Sequence, residues 1–590
     1  MHAGIHLAAI DQATLWKSDS TPLPVLAVLD GRLFDRDALS LQLGLDGNER
    51  TDAELVGRAY LRWGTEFAAY LDGEFACVVW DAAERKLLLC RDASGRRALY
   101  YSRNKPFRFA TQLAGLLAWP DVSREIDAGH LVCWLSRQPA QSTTFFREIA
   151  AVPLGDVSVV QDESITMHRY WRPLEMEPLY LSDDAAYEEL IRETLTEAVR
   201  RRIPREGLVS THLSGGLDSS SITSLAAEEL SRQGRSLLAM TAVPERVLPP
   251  HTTSGRFMDE REHAAAVVAR HSNIEHVLVA NDGAPLWESV DYFGRMGIPL
   301  LNLKNVRWLY AQDLMAAQRG SRQCLNGFAG NLTLSHSLWW GLRELWGDWP
   351  ELYGAINRRR VAGQTWKSIL WQILAADAKR MYLLRKIRGA SVETIYDQTS
   401  LKPSFVEQAG YGGAFERWGR LSHSFPGKDV RSSRLRFTQL QDMGAYTPET
   451  ERLFGMTFSD PMQDRRVVQL VLRIPTERFW VGGIPRQLFR NAMRGVLPEK
   501  ILTERRRGLQ GSDWHAVMSR DLPLYREEVD SMKRSAFTRN AIDIAAVEQT
   551  LKEWPAKAPT DMKWELKLGS MGSALTAGRF IRQIEEREIF

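Results

Sequence analysis

Short apolar or alternating runs dominate the first 170 residues. Residues 25–29 (VLAVL), 75–80 (FACVVW), 86–90 (KLLLC), 98–101 (ALYY) and 157–160 (VSVV) each predict a β-strand. Asp30-Gly31 and Asp72-Gly73 are expected as turns between strands. Thr51 with Glu54 three residues on, then Leu55, Ala59 and Tyr60, predicts a capped helix. Short strands in two face-to-face sheets with helices outside fit this pattern. Near residue 172 the period changes. A helix is predicted over Asp183 to Arg201, with Ala185, Leu190, Ile191 and Leu195 on one side. A strand at 209–213 follows, then a helix opened by Ser219, Ser220 and Ser221. Strand 236–243, helix Asp259 to His271, strand Ile274 to Val279, helix 306–317 and strand 323–327 complete the series. Alternating β and α segments predict a parallel sheet covered on both faces, with ligand at the carboxyl ends of its strands. From 332 the chain reads as helical and rich in tryptophan (Trp339, Trp340, Trp346, Trp349, Trp366, Trp371). Aromatic residues at helical spacing are expected in a core, with a wall for a peptide as the sharper alternative.

At 590 residues the chain is too long for one core, and the change of pattern divides it into 1–171 and 172–590. Lys+Arg 76 against Asp+Glu 73 is nearly balanced, which argues against wholesale nucleic-acid binding. The basic runs at 358–360 and 505–507 are local. Cys77, Cys90, Cys133 and Cys324 lack any CxxC spacing and are expected as reduced, mostly buried thiols. No apolar run is long enough to span a bilayer, and no basic-then-apolar start suggests export. These features predict a cytoplasmic protein without nucleic-acid or membrane partners.

The chemistry concentrates at 209–220 (VSTHLSGGLDSS). A strand enters the loop of Ser214, Gly215, Gly216, Leu217 and Asp218, and a helix leaves it. Adjacent glycines permit close backbone approach to an anion, and the free N–H groups and hydroxyls of a helix start face that anion. Asp218 makes sense beside phosphate if Mg²⁺ bridges the two. The Gly-Lys-Ser/Thr ending of a Walker A loop is absent, so a grip on pyrophosphate is the better reading.

With its strand and helix, SGGLDSS resembles the pyrophosphate loop of the asparagine synthetase family and its relatives, the β-lactam synthetases and the macrolactam synthetases that close lasso peptides. The resemblance implies a PP-loop synthetase domain behind an N-terminal Ntn-hydrolase-like αββα glutaminase domain. Residues 71–101 (LDGEFA…WD…RDASGRRALYY) resemble that glutaminase. Its nucleophile is a cysteine after the initiator Met, where this chain has His2. Asp72, Gly73, Glu74 and Asp92 match glutamine-holding positions, yet the nearest cysteine is Cys77 inside a predicted strand. The expectation is an inactive scaffold and an amine brought by the substrate.

By the same resemblance, Ser214, Gly215, Gly216, Asp218, Ser219 and Ser220 hold ATP, while Leu213 and Met240, ending neighbouring strands, flank the adenine. Residues 326–331 (NGFAGN) resemble the second phosphate and metal loop, which places Gly327 at the nucleotide and Asn331 beside Asp218 on Mg²⁺. Phe328 stands where relatives carry a catalytic Glu or Tyr. Asp259-Glu260 resembles an acidic pair near the nucleotide, with an ordinary helix-start charge equally open. The segments 460–468, 483–490 and 497–509 resemble the family's late segment, where Arg507 falls on a lysine that stabilises charge on carboxylate and phosphate. Asp218 and Arg507 are the residues expected to act in catalysis.

The function implied first is closure of a lasso peptide. ATP adenylates an Asp or Glu side chain of a precursor peptide, and the peptide's N-terminal amine attacks to form a macrolactam, releasing AMP and pyrophosphate. A leader peptidase and a leader-recognition protein are the implied partners. Two alternatives stay open: a β-lactam synthetase-like ligase on a small substrate, and an inactive nucleotide-binding scaffold.

Overall fold

The computed structural model describes residues 14–19, 24–45, 50–138, 142–162, 164–245, 256–280, 285–336, 342, 345–374, 399–413, 430–439, 442–509, 511–559 and 562–587. His2, Trp339 and Trp340 lie outside them. β1 (Thr14–Lys17) pairs antiparallel with β2 (Val25–Leu33), whose strict alternation buries every second side chain. The helices α1 (Arg36–Gln42) and α2 (Asp52–Trp63) follow, the second capped by Thr51, whose hydroxyl accepts from Glu54 N as its sequence predicts. β3 (Gly73–Asp81), β4 (Lys86–Arg91), β5 (Tyr100–Ser102), β6 (Phe109–Ala110), α3 (Leu113–Leu117), α4 (Ala128–Leu135), β7 (Ile149–Ala151), β8 (Asp156–Gln161) and β9 (Ser164–Arg169) complete this half.

One antiparallel sheet runs β1-β2-β3-β4-β8-β9 and a second runs β6-β5-β7. Leu55, Val56 and Ala59 of α2 pack on Val25, Ala27 and Leu29 outside the first sheet. Ala76, Val78 and Leu89 on its other face meet Leu99, Tyr101 and Ala150, while α3 and α4 cover the far side of the second sheet. The layers are therefore helix, sheet, sheet, helix. Asp30-Gly31 is not a turn: both residues continue β2, opposite Ala76 and Phe75 of β3, because cross-strand pairing overrides the local signal.

The second half carries α5 (Asp184–Arg200), β10 (Leu208–His212), α6 (Leu217–Arg232), β11 (Leu237–Val243), β12 (Arg256–Phe257), α7 (Arg261–Val268), β13 (Ile274–Ala280), α8 (Trp287–Arg295), α9 (Leu303–Gln318) and β14 (Ser321–Leu325). With β15 (Thr457–Ser459), four of these strands form a parallel sheet ordered β13-β11-β10-β14-β15. Apolar residues of α5, α6 and α7 cover one face, and Ala311, Met315 and Ala316 of α9 pack on the other. A short parallel pair joins β12 to β16 (Arg507–Gly508). The helix expected at Ser219 begins two residues earlier, at Leu217, and the one expected over 259–271 shortens to α7.

The helices α10 (Trp349–Val361) and α11 (Trp366–Leu374) correct the expectation of a tryptophan core. Trp346, Trp349, Trp366 and Trp371 are between 46% and 59% exposed. What these helices bury instead includes Leu352, Ala355 and Ile369, plus the Arg359 guanidinium over the Trp480 ring. Arg359 also donates to Glu477, at 2.6 Å.

Candidate active site

The nucleotide-type loop leaves β10 at the carboxyl edge of the sheet, and its entry is fixed on both sides. Leu213 N donates to Met240 O (2.8 Å), and Thr241 Oγ1 donates to Leu213 O (2.7 Å). Leu213 and Met240 therefore touch across neighbouring strands, though β11 runs on to Val243 and Met240 does not end it. Gly215 has a positive φ of 66°, and a Cβ there would lie 2.5 Å from His263 Cβ on α7, so only glycine fits. Gly216 caps α6 with extended backbone. Ser219 Oγ accepts from Ser214 N (3.1 Å) and pairs with Ser214 Oγ (2.8 Å), which closes the loop on itself, while Ser220 is buried beneath.

Asp218 lies one residue into α6, facing the 3₁₀ turn of residues 328–332. Gly327 packs against its backbone, and a Cβ on Gly330 would stand 2.3 Å from Asp218 Cγ. The buried Oδ1 of Asp218 accepts no hydrogen bond. Burial pushes this carboxyl up, and the Ser335 hydroxyl, then the guanidiniums of Arg486, Arg507 and Arg490, pull it back. The same field acts on His336, where burial and then Arg434, Arg486 and Arg507 push the imidazole down to about 3. Burial beside Arg507 lowers Arg486 to about 10. A carboxylate with one unpartnered oxygen, in a glycine cradle and a field of guanidiniums, would suit a divalent cation.

Asn331 is brought to this group differently from expectation. Its Oδ1 accepts from Arg486 Nη2 at 3.0 Å, so a cation there competes with that bond. Arg507 sits exposed in β16, held by pairing with Arg256. Arg486 and Arg490 carry no local signal of a role, because only folding places them near Asp218. Asp259-Glu260 divides into two roles. Asp259 accepts from Arg261 at the helix start, whereas Glu260 is buried against Gly508, whose Cβ would lie 1.9 Å from Glu260 Oε1.

Burial, then Asp259, pushes the Glu260 carboxyl up to about 8. A raised carboxyl leaves stability unaffected below its ordinary 4.5 and weakens it progressively as pH rises toward 8. Glu260→Gln is expected to match the parent in urea unfolding at pH 4.5 and to exceed it by roughly 2–4 kcal/mol at pH 8.5. An equal difference at both pH values would contradict this.

The glutamine-type positions serve other ends. Asp92 accepts from Ser94 N (2.8 Å), Arg96 N (3.3 Å) and Arg97 N (3.2 Å), ordering the turn that sends Arg96 and Arg97 into the second half. Glu74 pairs with Arg32, Arg202 and Ser459. Cys77 and Cys90 oppose each other on β3 and β4, and all four cysteines are buried and unlinked.

Between the halves lies a cavity of about 810 Å³. Arg91, Tyr100, His130 and Trp134 line it from the first half, and His212, Asn326 and Phe328 line it beside the loop. A sequence profile of the asparagine synthase family matches residues 190–575, the segment holding this loop.

The chain belongs to the asparagine synthase family. Residues 14–171 match a glutamine amidotransferase domain, the layered first half. The chain is similar to asparagine synthetase [glutamine-hydrolyzing] 3 of Bacillus subtilis, at 22% identity over 88% of this chain and 81% of that protein. It is also similar to amidase chry2 of Gibberella zeae, at 34% identity over 50% of this chain and 46% of that one. Amidase chyE of Penicillium rubens is 35% identical over 36% of this chain and 32% of its own length. Asparagine synthase family members are ATP-dependent carbon–nitrogen ligases, and this chain is one of them. No helix among the described residues is long and apolar enough to cross a membrane.

Proposed function

We propose that this ligase closes a macrolactam in a lasso peptide. The observation that carries the reading is the cavity beside Phe328. Ammonia needs about the space of one water, roughly 30 Å³, whereas this cavity of about 810 Å³ suits a substrate that brings its own amine. Buried thiols and the structural use of Glu74 and Asp92 agree with a first half that delivers no ammonia. The exposed tryptophans of α10 and α11 offer aromatic surface to a peptide. Gly483, three residues before Arg486, packs on the Arg358 backbone, which ties α10 to the segment that carries Arg486.

In this reading ATP lies along Ser214 to Ser220, with Leu213 and Met240 at the adenine and Gly327 at the phosphates. Asp218 would hold Mg²⁺, with Asn331 as a second ligand in place of its bond from Arg486. When bound, the ion neutralises phosphate charge during transfer of AMP to an Asp or Glu carboxylate. Arg486 and Arg507 hold the leaving pyrophosphate by charge. The peptide's N-terminal amine then displaces AMP, and an intramolecular amine gains from its high effective concentration. A leader peptidase and a leader-recognition protein would deliver the freshly cut core.

Nucleotide products are to be measured with a core peptide carrying an N-terminal Gly and an internal Asp or Glu, with and without a precursor and protease. AMP, pyrophosphate and a peptide lighter by one water are expected. A cavity of this volume also lies in the range for small ligands, so AMP formed only with small amino acid derivatives would move the function to a small-substrate ligase. No AMP with either class would sink the ligase function of this site.

A further inference from the structure

His212 ends β10, one residue before the nucleotide-type loop, and lines the cavity. Its Nε2 lies 2.9 Å from Asp313 Oδ1 on α9, with both side chains buried. Its Nδ1 is buried and meets no oxygen or nitrogen partner, and the Cys324 thiol is the imidazole's other polar neighbour. Phe328 tilts toward the imidazole with ring centroids 5.9 Å apart. A buried imidazole oriented by a carboxylate, at the wall shared by loop and cavity, has the arrangement of a general base and its orienting partner.

Resting on the ligase reading above, we infer that His212, oriented by Asp313, accepts the proton from the amine that attacks the acyl-adenylate. The C–N bond forms as the bond from carbonyl carbon to phosphate oxygen breaks. AMP leaves with that electron pair, the amine's proton passes to imidazole, and the imidazolium returns it to water in the cavity.

The titratable groups facing His212 are Asp313 from α9 and Cys324 from β14, whereas β11 presents Met240 and the 328–332 turn presents Phe328. Burial pushes the imidazole down, but Cys324 and Asp313 outweigh it and raise it well above 6.5. That direction brings it toward a peptide α-amine, whose pKa is about 8, so transfer between them costs little. His212, Asp313 and Cys324 also keep their ligand atoms within 4.8 Å. The 2.9 Å contact matches a hydrogen bond, whereas two ligands on one tetrahedral zinc stand about 3.3 Å apart.

The test separates adenylation from amide formation in His212→Gln and Asp313→Asn, using the peptide or small acid that gives AMP with the parent protein. Hydroxylamine, unprotonated at neutral pH, captures the acyl-adenylate as a hydroxamate without a base. Amide formation is expected to fall about 100-fold or more in His212→Gln, with hydroxamate formation within about threefold of the parent. In Asp313→Asn the alkaline-rising limb of kcat/KM is expected to move to lower pH, since the carboxylate that raised the imidazole is gone. Parallel loss of amide and hydroxamate would make the pair structural, and unchanged amide formation would remove His212 from the step. Stoichiometric zinc lost in His212→Gln would replace the dyad with a metal site. A parent protein that forms no adenylate at all overturns the ligase reading, and this inference with it.

Discussion

Asp218→Ala is expected to lower AMP-forming turnover roughly thousandfold, about 4 kcal/mol of transition-state stabilisation, while leaving the folded protein as stable as before or slightly more so. The two halves of that result have one cause. The buried Oδ1 accepts no hydrogen bond, so the carboxylate is desolvated without full compensation in the free protein. Removing it relieves that cost and leaves a space no larger than a carboxyl group. In the proposed loaded site the same carboxylate would hold a cation against phosphate. Gly330→Ala reaches the same end indirectly, because its Cβ would lie 2.3 Å from Asp218 Cγ and must displace that carboxylate. Pyrophosphate release and thermal unfolding, measured side by side, check the claim. Unfolding of Asp218→Ala at markedly lower temperature would mean that the carboxylate supports the fold instead.

Arg202→Ala is expected to cost about 3–5 kcal/mol and to weaken the junction between the two halves. The Arg202 side chain is essentially inaccessible, and it donates to Glu74 Oε1 (2.9 Å), Asp464 Oδ2 (2.6 Å) and Ala198 O (2.9 Å). Glu74 also accepts from Arg32 and Ser459, so one carboxylate of β3 joins both halves. Burial alone would raise the Glu74 carboxyl, but Arg202 and then Arg32 hold it well below the usual range. A depressed carboxyl contributes stability that is present above its ordinary 4.5 and lost as pH falls further. Without Arg202 two buried carboxylates face each other with one cation fewer. The variant's deficit relative to the parent is therefore expected to start shrinking below about pH 4.5 and to keep shrinking as pH falls further. Urea unfolding across pH, with limited proteolysis reporting separation of the halves, checks both. A deficit under about 1 kcal/mol at pH 7 would place the network among exposed pairs of little consequence. Glu74→Gln combined with Arg202→Met should recover part of the loss, since the two paired charges leave together and Asp464 keeps Arg201.

Much of this protein was legible along the chain because the governing interactions are local. Thr51 and Glu54 cap a helix within one turn, and the apolar period of residues 183–201 marks α5. The strand–SGGLDSS–helix unit announces its turn through Gly215, whose positive φ glycine adopts without strain. The parallel sheet followed from strands and helices alternating at ordinary lengths.

Only the tertiary structure decided what each side chain met. Helical spacing places Trp349 and Trp366 on a face, but no local interaction says whether anything covers it, and both stand in solvent. Asp30-Gly31 carries a turn signal that pairing with Ala76 and Phe75 overrides. Glu74 binds a guanidinium from the second half, and Asp92 binds backbone N–H groups of its own turn, partners that chain order does not announce. His212 and Asp313 meet across 101 positions of sequence, and Arg486 reaches Asn331 across 155. Such pairs form only when the sheet has closed the intervening chain. The sequence by itself thus determined the elements and the nucleotide-type loop; folding determined which charges, rings and cavities surround that loop, because burial and electrostatics depend on neighbours that chain order does not name.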